Sequence, residues 1–369
     1  MAFNEREYWL ALTLAGCTQL DIIIALRQRF GSLAQAWSAS EPELIQAGLT
    51  PKPARRLVEK RSKIDLVSEL TRLTRFDCRF VTADEGEYPA LLKQIYAPPT
   101  LLYYRGNLTS ASGNFLGVVG TRKTSLYGRR STQQLVSQLA GSGLTIVSGL
   151  ALGIDTVAHQ AALDNKLRTW AVLGCGLDQI YPTENRHVAE AIIKSSGLIL
   201  SEYPLGSEPL RHHFPARNRI ISGLSQAVLV VEAPEHSGAL ITAQFALEQN
   251  RDVLAVPGDM FSPNAYGPNR LIKQGARPVT GAEDIWESYR ATGNYRPAIQ
   301  TGHARKPPPV PANPDEAVIL ELLAQQPLSV DQISDQCKLG ISVINSTLTF
   351  LEVSGKIRPV GPDVYTLNI

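Results

Sequence analysis

The sequence predicts an α/β chain built on a doubly wound, mostly parallel sheet, with a helical module before it and a winged helix after it. Three observations carry this prediction. Six short apolar runs alternate with helical stretches between Asn114 and Thr280. Residues 1–75 hold apolar residues at helical spacing. Residues 315–369 read as three helices followed by a hairpin.

The first module is punctuated by Gly31, Pro42, Gly48 and Pro51, which divide it into short helices. Short helices joined by such turns resemble helix-hairpin-helix (HhH) or sterile-alpha-motif (SAM-like) modules. Its last helix carries Lys52, Arg55, Arg56, Lys60, Arg61 and Lys63. A solvated face is the plain reading of that charge, and a DNA-backbone contact is the alternative.

The central region, expected over 76–290, contains the runs FLGVV (115–119), LTIVS (144–148), TWAVL (169–173), GLILS (197–201), QAVLVVEA (226–233) and DVLAVP (252–257). Continuous rather than alternating apolar runs suit strands covered on both faces. Strand–helix alternation then implies right-handed crossovers and a parallel sheet. The segment YPALLKQIYAPPTLLYYRGNL is expected on the edge of this domain.

Residues 291–314 end in KPPPVPANP and read as a proline-stiffened linker. In the last module, expected over 315–369, Ser329 suits the N-cap of the second helix and Gly355 the stop of the third.

Composition narrows the function classes. The chain has 369 residues, 44% hydrophobic and 19% charged, as ordinary globular chains do. No apolar run approaches the roughly 18 residues that cross a bilayer. MAFNEREYW carries charges of both signs without an apolar core, so neither a signal peptide nor a membrane is expected. Cys17, Cys78, Cys175 and Cys337 are widely spaced, and buried thiols in a reducing cytoplasm are expected. The six histidines form no HExxH pair, and no metal site is expected. The net charge of +2 neither requires nor excludes nucleic acid.

Ligands of an open parallel sheet bind at the carboxyl ends of its strands, and the loops there are distinctive. GTRKTSLYGRR (120–130) lacks the GxGxxG dinucleotide fingerprint, so no such cofactor is expected. It offers Gly120 for a turn, Arg122 and Lys123 at the strand tip, and Thr124 and Ser125 as N-caps. GLALGIDTVAH (149–159) brings Gly149 and Gly153, which let backbone amides approach an anion, with Asp155 as a candidate N-cap. GCGLDQIYPTENRH (174–187) adds Tyr181 and Asn185, and the next loop adds Arg211, Phe214, Arg217, Asn218 and Arg219. PEHSGALITAQFA (234–246) places Ser237 and Gly238 at a further helix start. Helix-start donors and arginines suit phosphates, and aromatics beside them suit unstacked bases. The set therefore reads as a groove for a single nucleic-acid strand. Arg217 and Arg219 are two apart and do not both face one site from a helix; Arg217 is assigned to the groove, and pairing of one of the two with a carboxylate such as Asp155 or Glu232 is the structural alternative.

These motifs, from VVGTRKTSLYG through HHFPARNRIISGLSQAVLVVEA to GPNRLIKQGA, resemble the DNA-processing protein A family, also called Smf, over roughly residues 85–285. The resemblance implies a Rossmann-like core that binds single-stranded DNA, protects incoming DNA in natural transformation and loads the RecA recombinase onto it. It also implies a homodimer formed through the core, and no enzymatic activity. The family's DNA contacts fall on Arg122 and Phe214, with Arg211 matching the basic residue that precedes the FxxRN motif.

Two other readings compete with this one. Lysine-decarboxylase-like phosphoribohydrolases share the fold, but alignment on Thr242 puts Phe245 where their catalytic glutamate stands. Asp155 with His159 is the best acid–base pair in the loops, although a structural capping role suits it better. A winged-helix transcription factor would need cations on its recognition helix, yet GISVINSTLTFLEVSG has none.

Overall fold

The computed structural model describes residues 3–108, 113–290, 311–337, 339–361 and 363–367. They fall into two compact units, Met1–Ala298 and Ile299–Ile369.

The first unit is built on a nine-stranded sheet: β1 (Arg79–Thr82), β2 (Leu101–Gly106), β3 (Phe115–Val119), β4 (Thr145–Ser148), β5 (Arg168–Leu173), β6 (Leu198–Ser201), β7 (Ala227–Val230), β8 (Asp252–Ala255) and β9 (Arg277–Pro278). Its order is β1-β2-β6-β5-β4-β3-β7-β8-β9. All seven strands from β6 to β9 in that order run parallel. β2 pairs antiparallel with β6 and β1 antiparallel with β2, so the segment expected at the edge extends the sheet itself. The chain winds outward from β3 to β6 and then returns to the other side of β3. That reversal puts the topological switch point between β3 and β7.

Each expected run forms a strand because its residues are apolar on both faces and both faces are covered. The helices Leu126–Gln138, Ile154–Asp164 and Ala282–Arg290 share one core with Leu116, Val118, Ile146 and Leu229. The helices His213–Leu224 and Gly238–Glu248 share the other core with Val119, Val147, Val172 and Val228. Trp170 is buried against the Phe115 ring at 4.8 Å between centroids, a pair worth about 0.5–1.5 kcal/mol beyond its buried area.

Six helices precede the sheet, spanning Glu5–Ala15 to Leu66–Arg75, and join the second core. Gly31 and Gly48 end two of them in the left-handed region, at φ +80° and +107°, a conformation cheap for glycine alone. Pro42 and Pro51 instead lie in first turns, where a missing N–H costs nothing. Part of the basic face of the Pro51–Arg61 helix is spent internally. Arg61 Nη1 donates to the Trp37 and Ala39 carbonyls, and Arg55 pairs with Glu59.

The second unit holds the helices Pro314–Gln325, Val330–Gln336 and Ile341–Val353 and a three-stranded antiparallel sheet of β10 (Leu328–Ser329), β11 (Ile357–Gly361) and β12 (Val364–Leu367). Ser329 caps its helix in a reciprocal box with Gln332, and Gly355 follows the third helix at φ +68°. Most of the expected linker, 291–310, lies outside the described residues.

Candidate nucleic-acid interface

The loops after β3, β4, β5, β6 and β7 line one rim of the sheet, and each is fixed by its neighbours. In the first, Thr121 N–H donates to Glu232 O at 2.7 Å and Thr121 O accepts from Ile154 N at 3.2 Å. The loop is thus strapped between the end of β7 and the helix after β4.

At the switch point the N-terminal end of the Leu126–Gln138 helix is already occupied by a carboxylate. Buried Glu232 accepts at Oε2 from Ser125 N (2.9 Å) and Thr124 Oγ1 (3.0 Å), and at Oε1 from the Ser125 hydroxyl. Ser125 Oγ in turn caps Gly128 N at 3.1 Å. A Cβ at Gly128 would sit 2.1 Å from Glu232 Oε2, so only glycine lets the carboxylate in. At this helix start, of the kind that attracts phosphate in dinucleotide-binding proteins, the Ser125 and Gly128 amides are satisfied from within. Ser125, expected as an N-cap in this loop, caps the helix and spends its own N–H and hydroxyl on Glu232.

The glycines of these loops make packing room. A Cβ on Gly120 would lie 2.5 Å from Ile154 Cγ1, and one on Gly153 2.2 Å from Thr121 O. At Gly149 it would meet Arg217 and Asp155 at 2.6 and 2.8 Å. These glycines bring loop against loop, and the Gly149 amide expected to face an anion donates instead to Asp155. Asp155 is not the N-cap of its helix; Gly153 is, and Asp155 accepts from Gly149 N and Ala151 N at 3.1 and 3.3 Å.

Arg217 also departs from expectation. It is 4% exposed, and Nη1 donates to the carbonyls of Gly149 (2.8 Å) and Val172. It ties the ends of β4 and β5 together and faces no solvent. Burial pushes its pKa down to about 10, with the nearby Asp155 opposing that shift. Burial pushes the Asp155 carboxyl up, offset in part by Arg217 and the two amides. Arg219 pairs with Glu202 through both carboxylate oxygens at 2.6 Å. Asn185, 2% exposed, donates to Leu150 O and Thr156 Oγ1, both at 2.8 Å, and holds the second loop to the third.

His159 is fully buried and its Nδ1 lies 2.7 Å from Thr169 Oγ1. The Thr169 hydroxyl spends its proton on Ile146 O at 3.0 Å. Nδ1 therefore carries a proton and donates to that hydroxyl. Burial and Arg217 hold its pKa down at about 3. Asp155 and His159 spend their hydrogen bonds on separate partners.

What remains on the rim is compact. Arg122 and Lys123 are exposed. The Arg122 guanidinium lies 5.6 Å from the Phe214 centroid, and Phe214 lies 5.6 Å from Tyr181 at 41°. Gly174 leaves room beneath Phe214, where a Cβ would come within 3.2 Å of the ring. Phe214 and Asn218 are one helical turn apart. Asn218 Nδ2 donates to Gly238 O at 3.2 Å, and Ser237 Oγ caps Ala239 N at 3.3 Å. Gly238 itself is exposed with open space at its Cβ position. Arg211 is exposed just before the helix. Sequence reasoning missed Tyr203, whose ring stacks on His213 at 3.9 Å and 22°. The signal available was an aromatic two residues past the end of an apolar run. A guanidinium beside the half-buried Phe214 ring and the exposed Tyr181 ring offers both a phosphate donor and base-stacking faces.

Comparison with known proteins bears on this site. Residues 79–290 match the family described as DNA recombination-mediator protein A, and residues 303–361 match the DprA winged helix domain. The chain is 38% identical over 388 residues to protein Smf of Synechocystis sp., covering 97% of each chain. It is 48% identical over 202 residues to DNA processing protein DprA of Bacillus subtilis, covering 54% of this chain and 68% of that one. The X-ray structure of DNA processing protein A from Streptococcus pneumoniae superposes with a TM-score of 0.67 and 36% identity, over 78% of this chain and 98% of that one. A second structure, described by the unique single-stranded DNA binding mode of DNA processing protein A from Helicobacter pylori, gives 0.52 and 30%, over 59% and 98%.

Proposed function

The chain belongs to the DNA recombination-mediator protein A family, and on that premise we propose that it binds single-stranded DNA along the rim of its sheet. The observation that carries this reading is the Arg122–Phe214–Tyr181 row, a guanidinium and two rings each about 5.6 Å from the next. A guanidinium takes a phosphate oxygen and a ring takes an unstacked base. A duplex hides its base faces, so the row favours a single strand. Lys123, Arg211 and the open helix start at Ser237 and Gly238, joined to Asn218, extend the same rim. The ligand described for the Helicobacter pylori relative supports the reading.

On this reading Gly120, Ser125, Gly149, Gly153, Asn185 and Arg217 shape the loops, and Arg122, Lys123, Tyr181, Arg211 and Phe214 meet the strand. The protein protects DNA entering during transformation, loads RecA onto it, and works in the cytoplasm as a homodimer. The exposed Ile241 and Leu247 of the Gly238–Glu248 helix give that dimer an apolar face. It is a binder rather than an enzyme, since Asp155 and His159 are buried and bonded elsewhere. The test is titration with labelled single- and double-stranded oligonucleotides at two salt concentrations. Preference for the single strand, weakening as salt rises, is expected. Equal affinity for duplex would overturn the reading, and base release from nucleoside monophosphates would favour a phosphoribohydrolase.

A further inference from the structure

The loop after β8 carries a feature that the Arg122 rim does not use. Met260 and Phe261 stand at the two corners of the turn Asp259–Ser262 and are 81% and 85% exposed. Ser262 N–H donates to Asp259 O at 3.0 Å, and Asp259 Oδ1 accepts from Phe261 N at 2.9 Å, so the turn is held closed. Turn corners favour small or polar residues. Two large apolar side chains held in water on a fixed turn point to something that covers them.

The base of the loop is equally fixed. Gly258 exchanges hydrogen bonds with the Asn269 side chain at 3.2 and 3.0 Å. The Tyr127 hydroxyl donates to Pro257 O at 2.6 Å, which lays its ring beside Gly258. Tyr127 and Leu126 are themselves exposed, and Tyr127 joins the first turn of the helix after β3 to the base of this loop. The same loop grips the cationic rim, because Asn264 Nδ2 donates to Lys123 O at 3.1 Å. Lys123 stands between Arg122 and this patch in the chain, and Arg129 is exposed one turn further on. Two carboxylates of these loops are held by hydrogen bonds: Asp259 accepts from Phe261 N, and Glu235 from the Tyr266 hydroxyl at 3.2 Å.

We propose that Phe261, Met260 and Tyr127 form a second base-stacking station for the strand that binds at Arg122 and Phe214. The strand passes Lys123, which takes a phosphate, and lays its next bases on the apolar turn. This rests on the single-strand reading of the rim. Continuity through Lys123 and the mixture of ring faces with exposed cations fit a nucleic-acid strand.

The experiment compares the full chain with a Met260→Ala/Phe261→Ala variant and an Arg122→Ala variant. Fluorescence anisotropy would use oligothymidylates of about 5 and about 20 nucleotides, the short one covering a single station. The turn variant is expected to bind the long oligonucleotide about tenfold more weakly and the short one normally, with the molecular mass in light scattering unchanged. Normal binding of both lengths, with Arg122→Ala weakened on both, overturns the second station and leaves the rim intact. If Arg122→Ala binds normally as well, both readings fall. A halved mass for the turn variant would assign the patch to a second copy of the chain and overturn the proposal.

Discussion

Glu232, at the end of β7, accepts the backbone N–H of Ser125 at 2.9 Å and so fills the helix start that follows β3. In dinucleotide-binding proteins of this fold class a phosphate takes such a helix start. A carboxylate built into the crevice occupies the place where a free phosphate would dock. On the proposed function the strand then lies along the outer rim, at Arg122 and Phe214.

Replacing Glu232 by alanine removes the acceptor of three donors. The expected loss is about 2 kcal/mol of stability, since hydrogen bonds to charged groups are worth about 1.5–3 kcal/mol. Urea denaturation reads it. A loss below about 0.5 kcal/mol would mean that water replaces the carboxylate at no cost.

Arg122→Ala and Phe214→Ala are each expected to weaken single-strand binding by about 1–3 kcal/mol with the denaturation midpoint unchanged. Because the guanidinium lies over the ring, the double variant is expected to lose less than the sum of the two. Additive losses would show that the two side chains act on separate parts of the strand.

Arg211 and Arg217 should behave oppositely. Arg211 is exposed, and Arg211→Ala is expected to lower affinity at unchanged stability. Arg217→Ala leaves two carbonyls and the Asp155 carboxylate without their partner, and about 3–5 kcal/mol of stability should go. Parallel denaturation and anisotropy measurements separate the two. A stable Arg217→Ala protein with weakened binding would return Arg217 to the ligand.

His159 sets a pH dependence. Its folded pKa, near 3, lies below its ordinary value of 6.5. The fold holds the neutral ring, so this contribution is complete above pH 6.5 and declines as pH falls towards 3. Between pH 7 and pH 5 the loss should be about 1–2 kcal/mol. His159→Gln keeps a polar partner for Thr169 and is expected to flatten that part of the stability–pH curve. An unchanged slope would assign it to other groups.

Much of the architecture was legible in the residues. The six continuous apolar runs all became parallel strands, because a run apolar on both faces has few other ways to hide. Ser125, Ser237 and Ser329 cap the helices they precede, since capping depends on a few adjacent atoms. The edge strands β1 and β2 were less legible. β2 pairs antiparallel with a strand nearly a hundred residues later, as Tyr103 opposite Ser201 illustrates, and β1 joins the sheet through β2.

The sequence alone determined the order of elements, the rim where the loops gather, and Arg122, Lys123 and Phe214 as residues of that rim. Those follow from local periodicity and from the rule that parallel strands point their loops one way. Only the tertiary structure decided which polar groups remain free. Arg217 is spent on carbonyls 68 and 45 residues away, and Ser125 on a carboxylate 107 residues away. A buried donor must find an acceptor, and which one it finds depends on distances that no local pattern encodes.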